Sequence, residues 1–313
     1  MFDPVILFFL LGVMAGVLKS DLKIPGVLYE SLSIFLLLAI GLKGGVSLSQ
    51  YDPSNLVDEA FIVLLVSCLI PLGAFYVSKI LGGYSQADAG SLAAHYGSVS
   101  VVTFAVATSL LVKKSIDVEG YMTVFLVLLE IPGLLLGVLL AKFGTSKASW
   151  GHLIHEILTG KSLMLLLGGL LIGYLSGETG VSSISPLFFG LFKGVLAIFL
   201  LEMGLVTAGR IAEIKKQGLF LIMFGTLFPM FCGALGVVTG WWLGMSIGGM
   251  TLLATLYASA SYIAAPAAVR MAVPEANPST SIAASLGVTF PFNISVGIPL
   301  YLVLSEHMVK VIL

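Results

Sequence analysis

Charged residues are scarce in this chain. Lysine, arginine, aspartate and glutamate together make up 10% of its 313 residues, whereas soluble domains contain about 25%. So few charges cannot cover the surface of a soluble protein of this size. The net charge of −1 also argues against nucleic acid as a partner, because phosphate contacts need a basic face.

Motifs for chemistry on a substrate are missing as well. The two cysteines, Cys68 and Cys232, lie in apolar segments and are expected to be small core residues. The sequence contains no CxxC pair, no HExxH motif and no phosphate-binding glycine loop. Because it offers no nucleophile–base pair and no set of metal ligands, we expect neither an enzyme nor a protein with a resident cofactor.

Apolar residues, in contrast, are abundant. They make up 58% of the chain, and the mean hydropathy is +1.09. A hydrocarbon core of about 30 Å needs about 20 residues of helix, and ten apolar windows approach that length, although the first and the sixth are short. The sequence therefore predicts an all-α integral membrane protein, embedded in lipid, with spans near 4–18, 28–46, 60–81, 88–112, 120–141, 162–176, 186–208, 218–243, 249–271 and 281–305.

The two halves of the chain resemble each other. Residues 96–100 and 257–261 share the pattern Tyr-small-Ser-small-Ser, and four other features recur in the same order, with all offsets between 156 and 164 residues. These are Leu11-Gly12 with Leu167-Gly168, residues 34–45 with 198–209, Pro71 with Pro229, and Pro132 with Pro291. Each half has an odd number of spans, so the second half is expected to cross the membrane inverted. The predicted architecture is two inverted five-helix repeats, 1–145 and 162–313, joined by a cytoplasmic connecting loop at 146–161.

Lysine and arginine are distributed unevenly between the two sides of this topology. With the N-terminus outside, ten basic residues fall on the cytoplasmic side and five on the other. Because basic residues are enriched in cytoplasmic loops, we expect a multi-pass protein of the inner (plasma) membrane with both termini outside.

Spans four and nine carry the repeated serine pattern, and we expect both helices to be broken near the middle of the membrane. Broken helices in inverted repeats present half-helix N–H groups to an anion, and their freed carbonyls hold a cation. Small residues let a ligand approach the backbone, and hydroxyls can donate to an anion or accept around a cation. The sequence thus predicts a site for a small anion, formed by Gly97, Ser98, Val99, Ser100, Thr103, Ser259, Ala260 and Ser261.

Tight helix packing is the alternative explanation for each serine run, because small residues also line helix contacts in membranes. Duplication of the run in equivalent spans favours the ligand site. Pro266 is expected to break span nine, whereas the break in span four would depend on Gly97 and the β-branched residues that follow it.

Three other polar residues lie near these spans. Glu130 is an intramembrane acid, which makes it a candidate for binding a cation; capping of a helix near the membrane edge is the alternative. His95 is expected to be a hydrogen-bonded packing residue. Arg270 is expected either to extend to the membrane surface or to pair with Glu275.

Several longer motifs carry a family resemblance. They are IGLKGGVSLS (40–49), GSVSVVTFAVA (97–107), EIPGLL (130–135), MGLVTAGRIAEI (203–214) and APAAVRMAVPEANPSTSIAASLGVTFPFNISVGIPLYL (265–302). The chain resembles the sodium-dependent bicarbonate transporters best known from cyanobacteria, from span two to span ten. The most specific part is VPEANPS with the span that follows it.

The resemblance implies ten spans in two inverted repeats, a core domain and a gate domain, and assembly as a homotrimer. It also implies import of bicarbonate with sodium by an elevator-like movement of the core, with the substrate between the two broken helices. In this chain Gly97, Ser98, Ser100 and Thr103 match the first binding run of the family. Ser259 and Ser261 match the second.

Two features depart from the family pattern. An aspartate that would bind sodium is expected directly after the second serine run, and this chain has Tyr262 there. Cation binding is therefore assigned to Ser259, Ser261, Tyr262 and Glu130 with backbone carbonyls, and the identity of the cation stays open. The connecting loop is also shorter than in the family, which leaves open whether the small PII-like protein that inhibits family members binds here.

These observations predict a secondary active transporter of a small anion, with import of bicarbonate by sodium symport as the leading hypothesis. A transporter of another small carboxylate, coupled to sodium or to protons through Glu130, is one alternative. An anion channel, which would share the small-residue pore and need no coupling ion, is the other.

Overall fold

The computed structural model describes residues 4–50, 56–143 and 150–312, and every secondary-structure element in these ranges is helical. Eight helical segments, some of them interrupted, are long and apolar enough to cross a membrane. Helices satisfy their backbone hydrogen bonds internally, which lipid requires. The chain is therefore a multi-pass membrane protein, as its composition predicted.

Helices α1 to α8 come from the first half of the chain. α2 begins directly after Pro25, and α5 begins after Ser85, whose Oγ accepts a hydrogen bond from the Asp88 N–H at 3.1 Å. A π-helical turn at Val77–Leu81 extends α4. The bounds are α1 Pro4–Val17, α2 Gly26–Ser49, α3 Leu56–Ser67, α4 Leu69–Tyr76, α5 Gln86–Gly97, α6 Val101–Lys113, α7 Met122–Leu128 and α8 Glu130–Lys142.

Helices α9 to α17 come from the second half. Ser246 caps α13 by accepting from the Gly249 N–H at 3.0 Å, and Asn277 caps α15 by accepting from the Ser279 N–H at 3.0 Å. The bounds are α9 Trp150–Thr159, α10 Lys161–Val181, α11 Phe192–Gln217, α12 Leu219–Trp242, α13 Ile247–Ala258, α14 Ala264–Ala272, α15 Pro278–Ile282, α16 Phe290–Phe292 and α17 Ile298–Ile312, with π-helical turns at Pro186–Gly190, Ala283–Thr289 and Asn293–Gly297.

The long helical segments coincide with eight of the ten predicted windows. The first and ninth windows contain the shorter apolar helices Pro4–Val17 and Ile247–Ala258, so the count of ten spans stays a prediction. The sixth window is short, as predicted, and α10 reaches 21 residues by including residues on both sides of that window. α10 continues through the polar residues after position 175 by bending at Gly177, whose φ of 60° only glycine adopts readily.

Glycines bring two pairs of helices into very close contact, α1 with α11 and α2 with α10. A Cβ atom added to Gly12 would overlap the backbone of Leu201, and one added to Gly41 would overlap the backbone of Leu166. Close approach of this kind drives helix association in membranes, where lipid is as apolar as the side chains. In both pairs, the first long element of one half packs on the second of the other half.

A stripe of small residues joins α5 to α8. Gly133 lies against Gly97, and Gly137 lies against Ala94. The order of these contacts shows that the two helices run antiparallel. This packing holds the C-terminal end of α5 in a fixed position against α8.

The two interrupted helices lie at the centre of the bundle. In Gln86–Lys113, which contains α5 and α6, 83% of the most apolar window is buried, against 28% to 56% in the other long segments. In α13, all residues from Gly248 to Ala258 are buried. The serine runs that end α5 and α13 are therefore shielded from lipid on all sides.

The connection between the halves contains more structure than the predicted loop. Positions 144–149 lie outside the described residues, but α9 occupies most of the remainder of 146–161. Leu153 and Ile157 of α9 are 3% and 6% exposed and belong to an apolar cluster with Ala265, Ala268 and Val269 of α14. The sequence of this segment mixes apolar and polar residues and did not indicate a helix. Its apolar face is recognisable only in the folded chain, where α14 covers it.

Candidate functional site

The first break separates α5 from α6. α5 ends at Gly97, and Ser98 and Ser100 adopt extended conformations with ψ of 168° and 110°. Glycine weakens a helix, and Ser100 restarts it as a cap, because its Oγ accepts from the Thr103 N–H at 3.2 Å. The predicted break in span four is confirmed.

The second break separates α13 from α14. α13 ends at Ala258, Ser259 is extended with ψ of 166°, and α14 begins at Ala264. Pro266 lies in the first turn of α14, where a missing N–H leaves no intrahelical bond unmade. The predicted break in span nine is confirmed, but the helix ends at Ser259, well before the proline to which the break was ascribed.

Two backbone hydrogen bonds join the breaks. The Ser100 N–H donates to Ser259 Oγ at 2.9 Å, and the Ser261 N–H donates to the His95 carbonyl at 2.7 Å. The two serine runs, far apart in the sequence, are thus in direct contact. We call this region, residues 95–103 and 257–266, the junction.

Hydroxyls of the first break are only partly used by the protein. Thr103 Oγ1 donates to Ser100 Oγ at 2.9 Å, so these two side chains satisfy each other. Ser98 is 1% exposed, and its Oγ has no hydrogen-bond partner within the described part of the chain. Val99 is 6% exposed and contributes backbone and apolar surface.

Hydroxyls of the second break are occupied. Ser259 Oγ donates to the Leu256 carbonyl at 2.9 Å while it accepts from the Ser100 N–H. Ser261 Oγ accepts from the Ala265 N–H at 3.2 Å and so caps α14. Ala260 is 3% exposed and places no polar side chain at the junction.

Four helix ends meet at the junction. α6 and α14 begin there, so the N–H groups of their first turns and the positive ends of their dipoles face it. α5 and α13 end there, so their last carbonyls face the same region. The junction therefore offers donors suited to an anion and acceptors suited to a cation in one buried place.

The tyrosines that open the repeated pattern anchor the two breaks. The Tyr96 hydroxyl lies 2.6 Å from Thr289 Oγ1, and the Tyr257 hydroxyl donates to the Val63 carbonyl at 2.6 Å. Both tyrosines are 2% exposed. They hold the preceding helices against neighbouring elements, which is a positioning role.

Asn293 is a junction residue that the sequence analysis missed. It is fully buried, its Nδ2 donates to the Ala258 carbonyl at 2.8 Å, and its Oδ1 accepts from the Tyr301 hydroxyl at 3.0 Å. It therefore satisfies the last carbonyl of α13. An amide in the middle of an apolar span is unusual enough to have indicated this role.

Glu130 lies close to the first break. It occupies the α8 face that carries Gly133 and Gly137, one turn beyond the contact between Gly133 and Gly97. Because α5 and α8 are antiparallel, this places Glu130 level with the residues that follow Gly97. Glu130 is 3% exposed, and its Oε2 has no hydrogen-bond partner among the described residues. Two unpaired buried oxygens, one on Glu130 and one on Ser98, thus lie near the same break.

Tyr262 occupies the position at which an aspartate was expected. Its ring packs edge-on against Phe290, with centroids 5.3 Å apart and an interplanar angle of 67°. Its hydroxyl is enclosed and lies near Ser100 without reaching hydrogen-bond geometry. A phenol has no negative charge to offer at this position, so the second break lacks a charged ligand for a cation.

A cavity of about 120 Å³ lies beside the junction, between α5, α14 and the segment that follows α14. We call it the His95–Arg270 cavity. His95 lines it and is 1% exposed, with Nδ1 2.8 Å from the Ser91 carbonyl and Nε2 without a partner among the described residues. His95 is buried, as expected of a packing residue, but only one of its ring nitrogens is satisfied.

Arg270 also lines this cavity, and it does not pair with Glu275, which was one of its two expected roles. Glu275 pairs with Lys142 instead, at 3.3 Å. A hydrogen bond from its own backbone and another from Lys142 lower the pKa of the Glu275 carboxyl. Within the described ranges, Arg270 has no ion-pair partner.

A second cavity, of about 500 Å³, lies between α2, α6 and the start of α11. We call it the lysine cavity, because Lys43 and Lys193 line it and are close enough for their like charges to interact. It shares Ile40 and Ala105 with an apolar space of about 10 Å³ that borders Val101 at the start of α6. Apolar side chains therefore separate the lysine cavity from the junction.

Comparison with known proteins identifies the family. Among the residues that the structure describes, no group of three or more histidine, cysteine, aspartate or glutamate side chains could hold a metal ion. No match to a curated protein was found. A family model described as the Na+-dependent bicarbonate transporter superfamily matches residues 4–306, a range that includes the junction and both cavities. The resemblance seen in the motifs is confirmed: the chain belongs to the Na+-dependent bicarbonate transporter superfamily.

Proposed function

We propose that the chain is a secondary active transporter that imports bicarbonate together with sodium. The observation that carries this proposal is the junction, where half-helix N-termini, half-helix C-termini and hydroxyls meet in a buried place. Its residues, 95–103 and 257–266, include no lysine or arginine. A site of this kind holds an anion through backbone dipoles and releases it more readily than a buried ion pair would.

Bicarbonate suits the donors at the junction. It carries one negative charge over two oxygens, which can accept from the Val101, Val102 and Ala264 N–H groups, the first-turn donors that the serine caps leave over, and from the Ser98 hydroxyl. Hydrogen bonds to a charged group are worth about 1.5–3 kcal/mol each. Gly97 and Ala260 have no bulk that would keep the ion from the backbone.

Sodium is proposed to bind at the first break rather than at the second. The Glu130 carboxylate, the Ser98 hydroxyl and the carbonyls at the end of α5 offer oxygen ligands, and Glu130 Oε2 and Ser98 Oγ have no hydrogen-bond partner among the described residues. Ser259 and Ser261 already have partners, and Tyr262 carries no charge. Glu130 thus supplies the negative charge that the missing aspartate would have supplied.

A coupling cation is needed for concentrative uptake. Moving an anion inward against a negative potential costs about 2.3 kcal/mol per charge per 100 mV. One sodium ion cancels this electrical cost, and a second would add driving force. An anion channel, the remaining alternative from another class, could not accumulate bicarbonate against this potential.

The proposed architecture is ten spans in two inverted repeats. The pairing of α1 with α11 and of α2 with α10 supports it. Two inverted halves produce this reciprocal pattern when the first helix of each half packs on the second helix of the other. We propose that the elements around the junction move as a core against α1, α2, α10 and α11, in an elevator-like manner. The apolar contact between Leu36, Phe199 and Val101 is then the surface along which they slide.

Topology and assembly follow the family resemblance and the charge distribution. We propose that the protein lies in the inner (plasma) membrane with both termini outside and that it assembles as a homotrimer. Regulation by a PII-like protein on the cytoplasmic face would require α9 and its flanking residues to provide the contact. A cysteine introduced at Ser115 should react with an impermeant thiol reagent in intact cells, whereas one introduced at Lys215 should not. The reverse result would invert the topology and leave the junction unaffected.

Uptake of labelled bicarbonate into proteoliposomes tests the function directly. At fixed voltage and pH, an inward sodium gradient should accelerate uptake, and potassium should not replace sodium. The variant Glu130→Gln should lose the sodium dependence, while Glu213→Gln, which alters an acid at the exposed end of α11, should keep it. Uptake that ignores sodium in the wild-type protein would contradict the proposal.

A proton-coupled carrier of a small carboxylate is the second candidate function, because Glu130 is a buried acid without a partner oxygen or nitrogen for Oε2. The same proteoliposomes distinguish it. Uptake of acetate or pyruvate that follows a pH gradient and not a sodium gradient, and that Glu130→Gln abolishes, would establish the second candidate in place of the first.

A further inference from the structure

The lysine cavity is larger than a bicarbonate site needs to be. It has a volume of about 500 Å³, and no residue of the junction lines it. Sites for small organic molecules commonly measure about 300–1,000 Å³. Bicarbonate has only a few atoms and would leave most of this space empty. A ligand that fills the cavity is therefore larger than the ion proposed to be transported.

Lys43 and Lys193 give one region of the cavity two positive charges. Lys43 lies on α2, Lys193 lies in the first turn of α11, and both side chains are exposed. Within the described ranges, neither lysine has an ion-pair partner. Their charges are close enough to interact with each other. A single carboxylate would neutralise only one of them, whereas a group with two negative charges would neutralise both.

Hydroxyl groups lie beside Lys43. Ser47 follows it one turn later on the same face of α2. Thr123 of α7 packs against Gly44, where an added Cβ atom would overlap the threonine side chain. Ser47 and Thr123 both line the cavity, and neither side chain makes a hydrogen bond within the part of the chain that the structure describes. Thr123 is 8% exposed and its Oγ1 is not fully enclosed, so both hydroxyls can donate to an anion in the cavity.

The remaining lining is mainly apolar, with aromatic rings from Phe104 of α6 and Phe192 of α11. Two acids line another part of the wall. Glu119 accepts hydrogen bonds from the backbone and the hydroxyl of Ser246, and Asp117 is exposed without an ion-pair partner among the described residues. These acids would repel a second anionic group. The part of the ligand away from the lysines is therefore expected to be apolar and uncharged.

A phosphate monoester on an apolar body meets these requirements. At pH 7 it carries a charge of about −1.5 to −2 and three oxygens that accept hydrogen bonds. Lysine binds phosphate as a point charge, and the hydroxyls of Ser47 and Thr123 can donate to the oxygens. Inorganic phosphate has the charge without the apolar body. Benzoate has the apolar body with too little charge.

The lysine cavity has no counterpart of the same charge in the other half of the chain. Lys43 and Ser47 belong to IGLKGGVSLS (40–49), and the segment 198–209, which repeats residues 34–45, contains no lysine or arginine. The two breaks, in contrast, recur in both halves. This asymmetry separates the cavity from the duplicated elements that form the junction.

We infer that the lysine cavity binds an organic phosphate monoester with an apolar body, either a lipid headgroup with its chains or a soluble phosphate ester, and that its occupation arrests transport. α2 and α11 lie on one side of the proposed sliding contact and α6 lies on the other, and all three line the cavity. A ligand in contact with both sides would keep them from moving past each other. The arrest rests on the proposed function, whereas the binding does not.

Titration calorimetry of the protein in a neutral detergent measures the binding without transport. Phenyl phosphate, the probe, should bind at least about 10-fold more tightly than inorganic phosphate or benzoate, because each of these lacks one of its two features. The double variant Lys43→Gln/Lys193→Gln should weaken binding of phenyl phosphate about 10- to 150-fold or more, and Thr123→Val, which keeps the shape of the side chain, should weaken it several-fold. Lys114→Gln/Lys310→Gln, which removes two lysines that do not line the cavity, is the matched control and should bind like the wild-type protein.

Native mass spectrometry distinguishes the two sources of the phosphate. The protein is mixed with equal amounts of phosphatidic acid, a phosphate monoester, and phosphatidylcholine, a diester that carries its own cation. Selective retention of phosphatidic acid, lost in Lys43→Gln/Lys193→Gln, would identify a lipid. Binding of phenyl phosphate without retention of phosphatidic acid would identify a soluble ester. Both results support the site.

Right-side-out membrane vesicles test the arrest, because the cavity lies on the outer side in the proposed topology. At physiological ionic strength, external phenyl phosphate should lower the maximal rate of bicarbonate uptake several-fold and leave the KM nearly unchanged, since the probe does not occupy the junction. Uptake by Lys43→Gln/Lys193→Gln should be insensitive to the probe. An increase in KM alone would place the probe at the junction and contradict the arrest.

Equal affinity of the wild-type protein and Lys43→Gln/Lys193→Gln for phenyl phosphate, together with equal retention of phosphatidic acid, would overturn the inference. Binding that depends on both lysines in a protein that does not take up bicarbonate would refute the proposed function and leave the site in place. Bicarbonate uptake without any such binding would refute the site and leave the proposed function in place.

Discussion

The two broken helices carry the same five-residue pattern, but they use it differently. In the second break, the hydroxyls of Ser259 and Ser261 both have protein partners, and they hold the junction together. In the first break, Ser98 Oγ is buried without a partner among the described residues, and so is Oε2 of Glu130 on the helix that packs on α5. An unsatisfied buried polar group costs about 1–3 kcal/mol. The first break is therefore the one with an unpaired hydroxyl, and the hydroxyls of the second connect the two breaks and cap α14.

The largest expected effect comes from the contact that positions the first break. A Cβ atom at Gly133 would overlap the Gly97 carbonyl. Because the overlapped atoms belong to the backbone of α5, the overlap could be relieved only by moving that helix. Gly133→Ala should cost several kcal/mol, above the roughly 1–3 kcal/mol of ordinary overpacking, and should abolish folded protein. Size-exclusion chromatography of detergent extracts measures this.

Gly168 provides the matched control, because a Cβ atom there would meet no atom within 4 Å. Gly168→Ala should leave the protein folded, with a slight gain from the better helix propensity of alanine. Equal loss of folded protein in both variants would show that the contact between Gly133 and Gly97 has no special importance.

Removal of single hydroxyls compares the roles of the two breaks most directly. Ser98→Ala deletes an oxygen that has no hydrogen-bond partner among the described residues. The thermal stability should therefore not fall, while the apparent affinity for the transported ions should fall about 10- to 150-fold. The measurements are the melting temperature in detergent and the concentration dependence of uptake. A lower melting temperature with unchanged transport would reassign Ser98 to packing.

Ser259→Ala should show the opposite balance. It leaves the Ser100 N–H buried without its acceptor, which costs about 1–3 kcal/mol of stability. The melting temperature should fall, and the affinity should change less than in Ser98→Ala. If the two variants behaved alike in both measurements, the contrast between the breaks would be wrong.

Tyr262 tests whether the second break can acquire the charge that it lacks. Tyr262→Asp should increase the apparent affinity for sodium, by up to about tenfold, because a carboxylate adds a charged oxygen near Ser100. Tyr262→Phe should have little effect, since the tyrosine hydroxyl makes no hydrogen bond among the described residues. Loss of sodium dependence in Tyr262→Asp would contradict this prediction.

The smallest expected effect concerns the lysine cavity, which apolar side chains separate from the junction. Lys43 and Lys193 line it with like charges, and such a cavity concentrates anions at low ionic strength. Replacing both with glutamine should raise the KM for bicarbonate about two- to threefold at 10 mM salt and hardly at all at 150 mM, where the Debye length is about 8 Å. An equal effect from Lys310→Gln, outside the cavity, would show a general charge effect.

Local signals predicted the elements well and their interruptions correctly. Runs of apolar residues mark spans because lipid tolerates little else, and Gly97 and the serines mark breaks because they weaken a helix and cap the next one. The repeated Tyr-small-Ser-small-Ser pattern even placed both breaks at equivalent positions. The windows failed at α9, where the amphipathic face depends on what packs against it.

Partners of individual polar atoms could not be predicted in the same way. One partner of Ser259 lies 159 positions away and one partner of Asn293 lies 35 positions away. Of the equivalent serines Ser98 and Ser259, the first has no hydroxyl partner among the described residues and the second has two. Nothing in the sequence near His95 showed that Nδ1 would be bonded and Nε2 left as an acceptor. The pairing of Glu275 with Lys142, which leaves Arg270 unpaired, likewise depended on the folded chain.

Membrane class, family and the positions of both breaks were thus contained in the amino-acid sequence, because hydropathy, helix propensity and capping act over a few neighbouring residues. Which hydroxyls of the two serine runs found a partner among the described residues, and that His95 and Arg270 line one cavity, were decided only when helices from both halves came together. Hydrogen bonds have short range and strict direction. Whether a buried polar atom is satisfied or free therefore depends on distant segments placed to within a fraction of an ångström.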